Sequence, residues 1–181
     1  MPTGLPPLHH RLAADHHPTP FSAAQIRDAC APGRRSTYQV TAGEAVPYLD
    51  AWWFEAGDAA GADMVHLRTT ATGTPLGAPE RSRATWEELQ AHASYPVATT
   101  TIDTDAITTP AGRFETWRYT TVGDDGVSTR AWFARNLPGP PVLIVSERGG
   151  AEVFRYELTA VEGAEMGSPR KQVSAQDEAD T

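Results

Sequence analysis

Four strand-length segments follow one another between residues 112 and 161, and they constrain the fold of this chain more than any other feature. They are rich in aromatic and β-branched residues, and the short turns between them carry Asp-Asp-Gly, Pro-Gly-Pro-Pro and Gly-Gly. Segments of this kind predict strands, and connections of this length place consecutive strands side by side in antiparallel order. The sequence therefore predicts an antiparallel meander in the second half of the chain.

Five further segments have strand character, and most are joined by Gly-containing connections of hairpin length. They cover residues 36–42, 48–55, 62–70, 79–83 and 99–105. Together with the meander they bring the total to about nine strands. An up-and-down sheet of this size gains by curling, because curling removes or shortens its exposed edges. We therefore predict an all-β fold with two short helices, arranged as an antiparallel up-and-down barrel or half-barrel.

The two short helices are predicted by their start signals. Ser22 with Gln25, and Thr85 with Glu88, have the spacing of a capping box, in which each side chain bonds the other's backbone N–H. Pro32 and Gly33 end the first helix, and Tyr95-Pro96 ends the second.

The chain has enough apolar residues for one core, and both of its ends are polar or rich in proline. Residues 1–20 and 163–181 show no usable hydrophobic periodicity, so we expect an N-terminal tail and an acidic C-terminal tail that are disordered. A single β-barrel domain is then expected over residues 21–162.

Composition excludes several classes of function. The net charge of −8 argues against a nucleic-acid partner, which requires a concentrated basic surface. No apolar run reaches the roughly 20 residues that cross a bilayer, so no membrane partner is expected. The N-terminal residues also lack the pattern of a secretory signal, which predicts a cytoplasmic location. A homodimer is left open by the sequence.

Four histidines near the N-terminus form the densest group of metal-capable residues. They are His9, His10, His16 and His17, and they lie in a proline-bounded segment that we expect to be solvated. A metal site needs ligands held in a fixed geometry. We therefore predict neither a metal nor a cofactor.

The segment 109–145 resembles known bacterial proteins. It contains a Gly112-x-Phe114-x-x-Trp117 strand followed by a Trp132-Phe133 strand, and in this it is similar to lipocalin-like and LolA-like open β-barrel families of uncharacterised function. The resemblance implies a curved antiparallel sheet that wraps a helix or encloses an apolar ligand. It carries over the fold and no functional residue.

The aromatic residues of the strands are the best indication of a ligand site. Trp52 and Trp53 are adjacent in a strand, so they point to opposite faces, and one of them is free to line a pocket while the other joins the core. Faces that carry aromatic rings together with charges are typical of the interior of a ligand-holding barrel. The predicted ligand-binding residues are Trp53, Arg68, Trp117, Tyr119 and Trp132.

Two hypotheses for function follow from this interior. The first is a carrier or binding protein that holds an apolar or aromatic small molecule inside the barrel. The second is a cofactor-independent cyclase, isomerase or dehydratase acting on a polyketide-like substrate of specialised metabolism. Such an enzyme needs one well-placed proton donor or acceptor in a dry cavity, and His66, Glu115 and Tyr119 are the candidates.

A buried ionisable group beside the aromatic rings would favour the enzyme, and an apolar lining would favour the carrier. A filled core with an exposed apolar patch would instead indicate a protein-interaction module.

Overall fold

The computed structural model describes residues 4–30 and 32–163. Within them, one antiparallel sheet of nine strands is accompanied by two α-helices and a short 3-10 turn at Leu8–His10. The helices are α1 (Ala23–Ala29) and α2 (Trp86–Ala91). The strands are β1 (Arg35–Ala42), β2 (Tyr48–Gly57), β3 (Gly61–Thr69), β4 (Glu80–Thr85), β5 (Thr100–Thr109), β6 (Gly112–Val122), β7 (Val127–Ala134), β8 (Leu143–Arg148) and β9 (Ala151–Glu162).

The strands form an open sheet in the order β4-β3-β2-β1-β9-β8-β7-β6-β5. Consecutive strands pair as hairpins except β4 and β5, which α2 separates, and the first and last strands meet in the middle of the sheet, with Arg35 opposite Glu162. The sheet does not close, since β4 and β5 are its two edges. The predicted all-β fold is confirmed, and the half-barrel is the form that it takes.

Both predicted capping boxes are present and fix where the helices begin. The Ser22 side chain accepts from the Gln25 backbone N–H at 3.2 Å, while the Gln25 side chain accepts from the Ser22 backbone N–H at 2.9 Å. Thr85 and Glu88 make the same reciprocal pair at the start of α2. Each box satisfies backbone donors that a helix of six or seven residues leaves without partners. None of the described helices has the length and apolarity needed to cross a bilayer.

The two helices lie against one face of the sheet, here called the inner face. Alternation along β2 places Trp52 and Phe54 on this face and Trp53 on the outer face, where the Arg35 guanidinium stacks 5.1 Å from its ring. Phe54 meets Trp86 of α2 with ring centroids 5.7 Å apart. Tight packing of these rings builds the core that supports the site.

Residues 4–20, predicted to be a disordered tail, are packed against the inner face. The Tyr119 hydroxyl donates to the Pro18 carbonyl at 2.6 Å, and the Trp117 indole N–H donates to the Gly4 carbonyl at 2.9 Å. His10 is buried and hydrogen-bonded to the Thr19 carbonyl. The physical reason for the difference is that these are single contacts to distant side chains, which leave no periodic pattern in the segment itself. The predicted C-terminal tail lies, from residue 164, outside the described residues.

A buried arginine joins α1 to the loop between β7 and β8. Arg34 is 3% exposed, and its Nη1 donates to the Ala29 carbonyl at 3.0 Å and to the Pro138 carbonyl at 2.7 Å. Ala29 is the last residue of α1, so the guanidinium satisfies a carbonyl at the negative end of that helix. No carboxylate among the described residues pairs with Arg34.

The start of β3 approaches β4 closely at a glycine. A Cβ on Gly61 would lie 2.3 Å from the Ala84 carbonyl oxygen and 2.9 Å from the Thr85 Cα. Both are main-chain atoms that cannot rotate away. This position therefore requires the absence of a side chain, and it sets how close β4 and the following helix come to the sheet.

Candidate functional site

A half-open cavity of about 390 Å³ lies between the inner face and the two helices. It is called here the apolar cavity, because aromatic and aliphatic side chains make up most of its wall. Its sheet side includes Trp52 and Phe54 of β2, Met64 of β3, and Ile144 of β8. Its volume lies within the roughly 300–1,000 Å³ that small-molecule sites occupy. The aromatic rings line this space and do not fill it.

The helices supply the opposite wall and hold it in place with buried hydrogen bonds. Gln90 of α2 accepts from the Ala23 backbone N–H of α1 at 2.8 Å and donates to the Thr19 hydroxyl at 3.0 Å. Its side chain thus ties together α2, α1 and the N-terminal segment. Ala93, just after α2, also lines the cavity and leaves room there because its side chain is a single methyl group.

A group of polar side chains borders the apolar cavity on the sheet side. The Tyr156 hydroxyl donates to Asp50 Oδ2 at 3.1 Å, and His66 Nδ1 lies 3.8 Å from Asp50 Oδ1. The second distance is too long for a hydrogen bond, and Oδ1 is buried without a hydrogen-bond partner. His66 and Tyr156 line the cavity, whereas Asp50 does not.

Four roughly parallel rings are stacked in series, and the two at the ends of the series, Tyr156 and His66, are the ones that approach this carboxylate. Tyr38 stacks on Tyr156 with centroids 4.1 Å apart and on Trp52 at 6.4 Å, and Trp52 in turn stacks on His66 at 6.5 Å. Burial, with smaller contributions from Tyr38 and Asp50, raises the pKa of Tyr156 well above its usual range. Burial likewise raises the pKa of Tyr38. Tyr156 therefore stays protonated and serves as a hydrogen-bond donor to Asp50.

Cys30 at the end of α1 belongs to the same wall but is chemically quiet. It is 1% exposed, and burial raises the pKa of its thiol, although the nearby Arg34 acts in the opposite direction. A protonated, inaccessible thiol is a poor nucleophile. Among the described residues, no three His, Cys, Asp or Glu side chains are grouped so that they could hold a metal ion.

None of the five predicted ligand residues lines the apolar cavity, and Arg68 alone among them lines the second cavity described below. Trp117 and Tyr119 are on the inner face but are covered by the N-terminal segment. Trp132 lies on the outer face, where its indole N–H donates to Asp105 at 3.1 Å. Trp53 lies on the outer face as well, so Trp52 is the member of the tryptophan pair that lines the cavity. These positions differ from the sequence-based choice, because alternation identifies which residues share a face but not which face is covered.

Of the three predicted acid or base residues, the structure brings His66 alone to the cavity wall. Glu115 is exposed on β6, and Tyr119 is occupied by its bond to Pro18. Arg68, two residues beyond His66 on β3, lines a second cavity of about 300 Å³. His66 lines this second cavity too, so the two cavities lie next to each other at this residue.

Tyr156 and the helix residues of the wall are not among the residues predicted from the sequence. The alternation of Phe154, Tyr156 and Leu158 in β9 was visible, but it is typical of any half-buried strand. What distinguishes Tyr156 is its hydrogen bond to Asp50, a residue 106 positions earlier in the chain. A pattern among neighbouring residues cannot predict a hydrogen bond between two residues so far apart in the sequence.

No family model matches the sequence, and no curated protein matches it. The fold is similar to solved structures of MucB. One, a crystal structure of MucB, has a TM-score of 0.53 at 9% identity, covering 87% of this chain and 60% of that one. Another, the complex of MucA and MucB from Pseudomonas aeruginosa, has a TM-score of 0.51 at 11% identity, covering 72% of this chain and 52% of that one.

This likeness shows the fold alone. The chain spans between about half and three fifths of the MucB chains that it matches. It supports an open antiparallel sheet of the β-barrel-like kind, and it does not single out the lipocalin-like or LolA-like families. The function has to be argued from the cavity.

Proposed function

We propose that this protein binds an apolar or aromatic small molecule in the apolar cavity. The observation that carries the proposal is a space of about 390 Å³ lined by Trp52, Phe54 and Ile144, with few polar groups on its wall. Buried apolar surface of this kind is filled favourably by a guest of matching shape. MucB is recorded in complex with MucA, but this proposal rests on the cavity. The cytoplasmic location and the absence of nucleic-acid and membrane partners stay predictions.

Binding is tested with N-phenylnaphthylamine, an uncharged probe that fluoresces strongly when it leaves water. The wild-type protein should bind it with a dissociation constant on the order of 10 µM, as expected for a ligand of this size in an apolar pocket. Ala93→Phe should weaken binding at least about 10-fold, because the phenyl ring occupies the space that the probe needs. Fluorescence titration measures both constants.

The matched control is Ala91→Phe, which adds the same ring two residues earlier on the exposed side of α2. It should bind the probe as the wild type does. Urea unfolding of both variants shows that the fold is kept. Equal affinity of Ala93→Phe and the wild type would contradict the proposal, because the probe would then be bound elsewhere.

A second candidate function is proton transfer on a bound polyketide-like substrate. The observation in its favour is that His66 lines the cavity with Nδ1 3.8 Å from the buried Asp50 carboxylate, the arrangement in which a carboxylate orients an imidazole base. Hydrogen bonds of catalytic pairs are often long before a substrate is bound. In this function His66 takes a proton from a carbon next to a carbonyl and returns one to the resulting enolate.

This second function predicts deuterium exchange at carbon. In heavy water the protein should accelerate exchange of the methyl protons of acetonaphthone, and His66→Gln should slow that exchange about 100-fold. His16→Gln, which alters an imidazole paired with Asp15 outside both cavities, should leave the rate unchanged. Proton NMR follows the exchange. A wild-type rate equal to that of buffer would contradict the enzyme and leave the binding function intact.

A further inference from the structure

The second cavity, called here the polar cavity, lies beside the apolar one on the inner face. It has a volume of about 300 Å³ and is bordered by Tyr48 of β2, His66 and Arg68 of β3, Glu80 of β4 and the loop 76–78. Its wall carries charges that the apolar cavity lacks. A guest that extends past His66 from the apolar cavity would therefore place its other end among charged groups.

Arg68 is the cation of this wall, and it is left without a carboxylate among the described residues. The arginines of the adjacent strand are paired: Arg81 binds Glu55, and Arg83 binds both Asp58 and Asp63. Arg68 makes no such pair and is exposed. Its guanidinium is therefore available to a ligand.

Two carboxylates lie on neighbouring strands, yet neither neutralises Arg68. Asp50 is opposite Arg68 in the β2–β3 register, but its Oδ2 accepts from Tyr156, it makes no ion pair with Arg68, and it lines neither cavity. Glu80 lines the polar cavity without pairing to Arg68. A guanidinium presents a planar fork of N–H donors that matches the oxygens of a carboxylate or sulfonate, so an acidic group is the ligand chemistry that it recognises best.

We propose that the ligand of the apolar cavity is an amphipathic anion, with its apolar body in that cavity and its acidic group bound to Arg68 in the polar cavity. This inference rests on the proposed binding function and names the class of its ligand. Glu80 opposes the anion by like-charge repulsion across the same cavity. Removing that charge is therefore expected to strengthen binding, and removing the Arg68 charge to weaken it.

Two probes with the same aromatic body separate the acidic group from the apolar one. Anilinonaphthalene sulfonate differs from N-phenylnaphthylamine by its sulfonate, so the ratio of their affinities reports on the anion alone. In Arg68→Gln the sulfonate probe should bind about 5- to 10-fold more weakly, while the uncharged probe binds within about twofold of the wild type. Glu80→Gln should bind the sulfonate probe about threefold more tightly than the wild type does. Fluorescence titration at low salt gives each constant.

Arg113→Gln is the matched control, since Arg113 is another exposed arginine with no carboxylate among the described residues but lies on β6 outside both cavities. Its affinity ratio should equal that of the wild type. An unchanged ratio in Arg68→Gln, or weaker binding of the sulfonate probe in Glu80→Gln, would overturn the anionic ligand. If the Ala93→Phe variant still bound both probes at full affinity, the binding function itself would fall instead, so the two failures are distinguishable.

Discussion

Arg34→Met is expected to destabilise the protein by about 3 kcal/mol. The methionine keeps the length of the side chain but leaves the Ala29 and Pro138 carbonyls without the donor that now binds both of them. A hydrogen bond to a charged group contributes about 1.5–3 kcal/mol, and a buried carbonyl left without a partner has a similar cost. Methionine also avoids the free-energy cost of burying a charged guanidinium, and this gain offsets part of the loss in stability. Urea unfolding measures the change as a lower midpoint with an unaltered slope.

The control for this substitution is Arg27→Met on the exposed face of α1. Within the described part of the chain Arg27 pairs with Asp28 alone, at the surface, and exposed pairs of this kind contribute little to stability. Its midpoint should stay within about 0.5 kcal/mol of the wild type. If Arg34→Met were as stable as this control, the hydrogen bonds of the guanidinium would add nothing to the free energy of unfolding. Other contacts would then hold α1 against the β7–β8 loop.

Gly61→Ala is expected to cost about 3 kcal/mol or more. A methyl group at this position meets the Ala84 carbonyl oxygen at 2.3 Å and the Thr85 Cα at 2.9 Å, so β4 has to move away from β3. Thr85 is also the N-cap of α2, and that helix carries Trp86 into the core against Phe54. The strain therefore spreads from the edge strand to the helix that covers the cavity. Thermal unfolding should show a much lower midpoint, and near-ultraviolet circular dichroism should show a change at tryptophan.

Gly77→Ala makes the same chemical change in the loop between β3 and β4. A Cβ there has nothing within 4 Å, and the residue does not adopt a left-handed conformation. This variant should unfold at the wild-type temperature or slightly above it, because alanine restricts the unfolded chain more than glycine does. A Gly61→Ala protein as stable as Gly77→Ala would show that β4 moves off the sheet without cost.

The secondary structure was predictable because its signals are local. The capping boxes at Ser22 and Thr85 need only four residues each, and both begin a helix where the sequence predicts one. Strand β6 begins at Gly112, where the predicted meander begins, because a segment rich in aromatic and β-branched residues lies there between two turns. The half-barrel followed from the number of hairpins, since a meander of nine strands leaves few other ways to shorten its edges.

The site was only partly predictable, because its members are brought together by the sheet. His66 was a candidate as a histidine within a strand, and it reaches the cavity wall. The choice between Trp52 and Trp53 depended on which face the helices cover, and the strand sequence does not contain that information. Tyr119 was chosen for its ring and hydroxyl, but the N-terminal segment, predicted to be disordered, covers it through Pro18.

The pairing of β1 with β9 in the centre of the sheet has a consequence for how the protein is made. Arg35 of β1 lies opposite Glu162 of β9, and β1 is synthesised before β9, so the edge of β1 that pairs with β9 stays without hydrogen-bond partners until β9 has been made. Until then β1 to β4 can form one meander and β5 to β8 another. Each of these has an exposed edge strand whose free backbone groups can pair with other chains and promote aggregation. Completion of the sheet, and with it a continuous floor for any bound guest, therefore has to wait until β9 has been synthesised, at a contact order that favours slow folding.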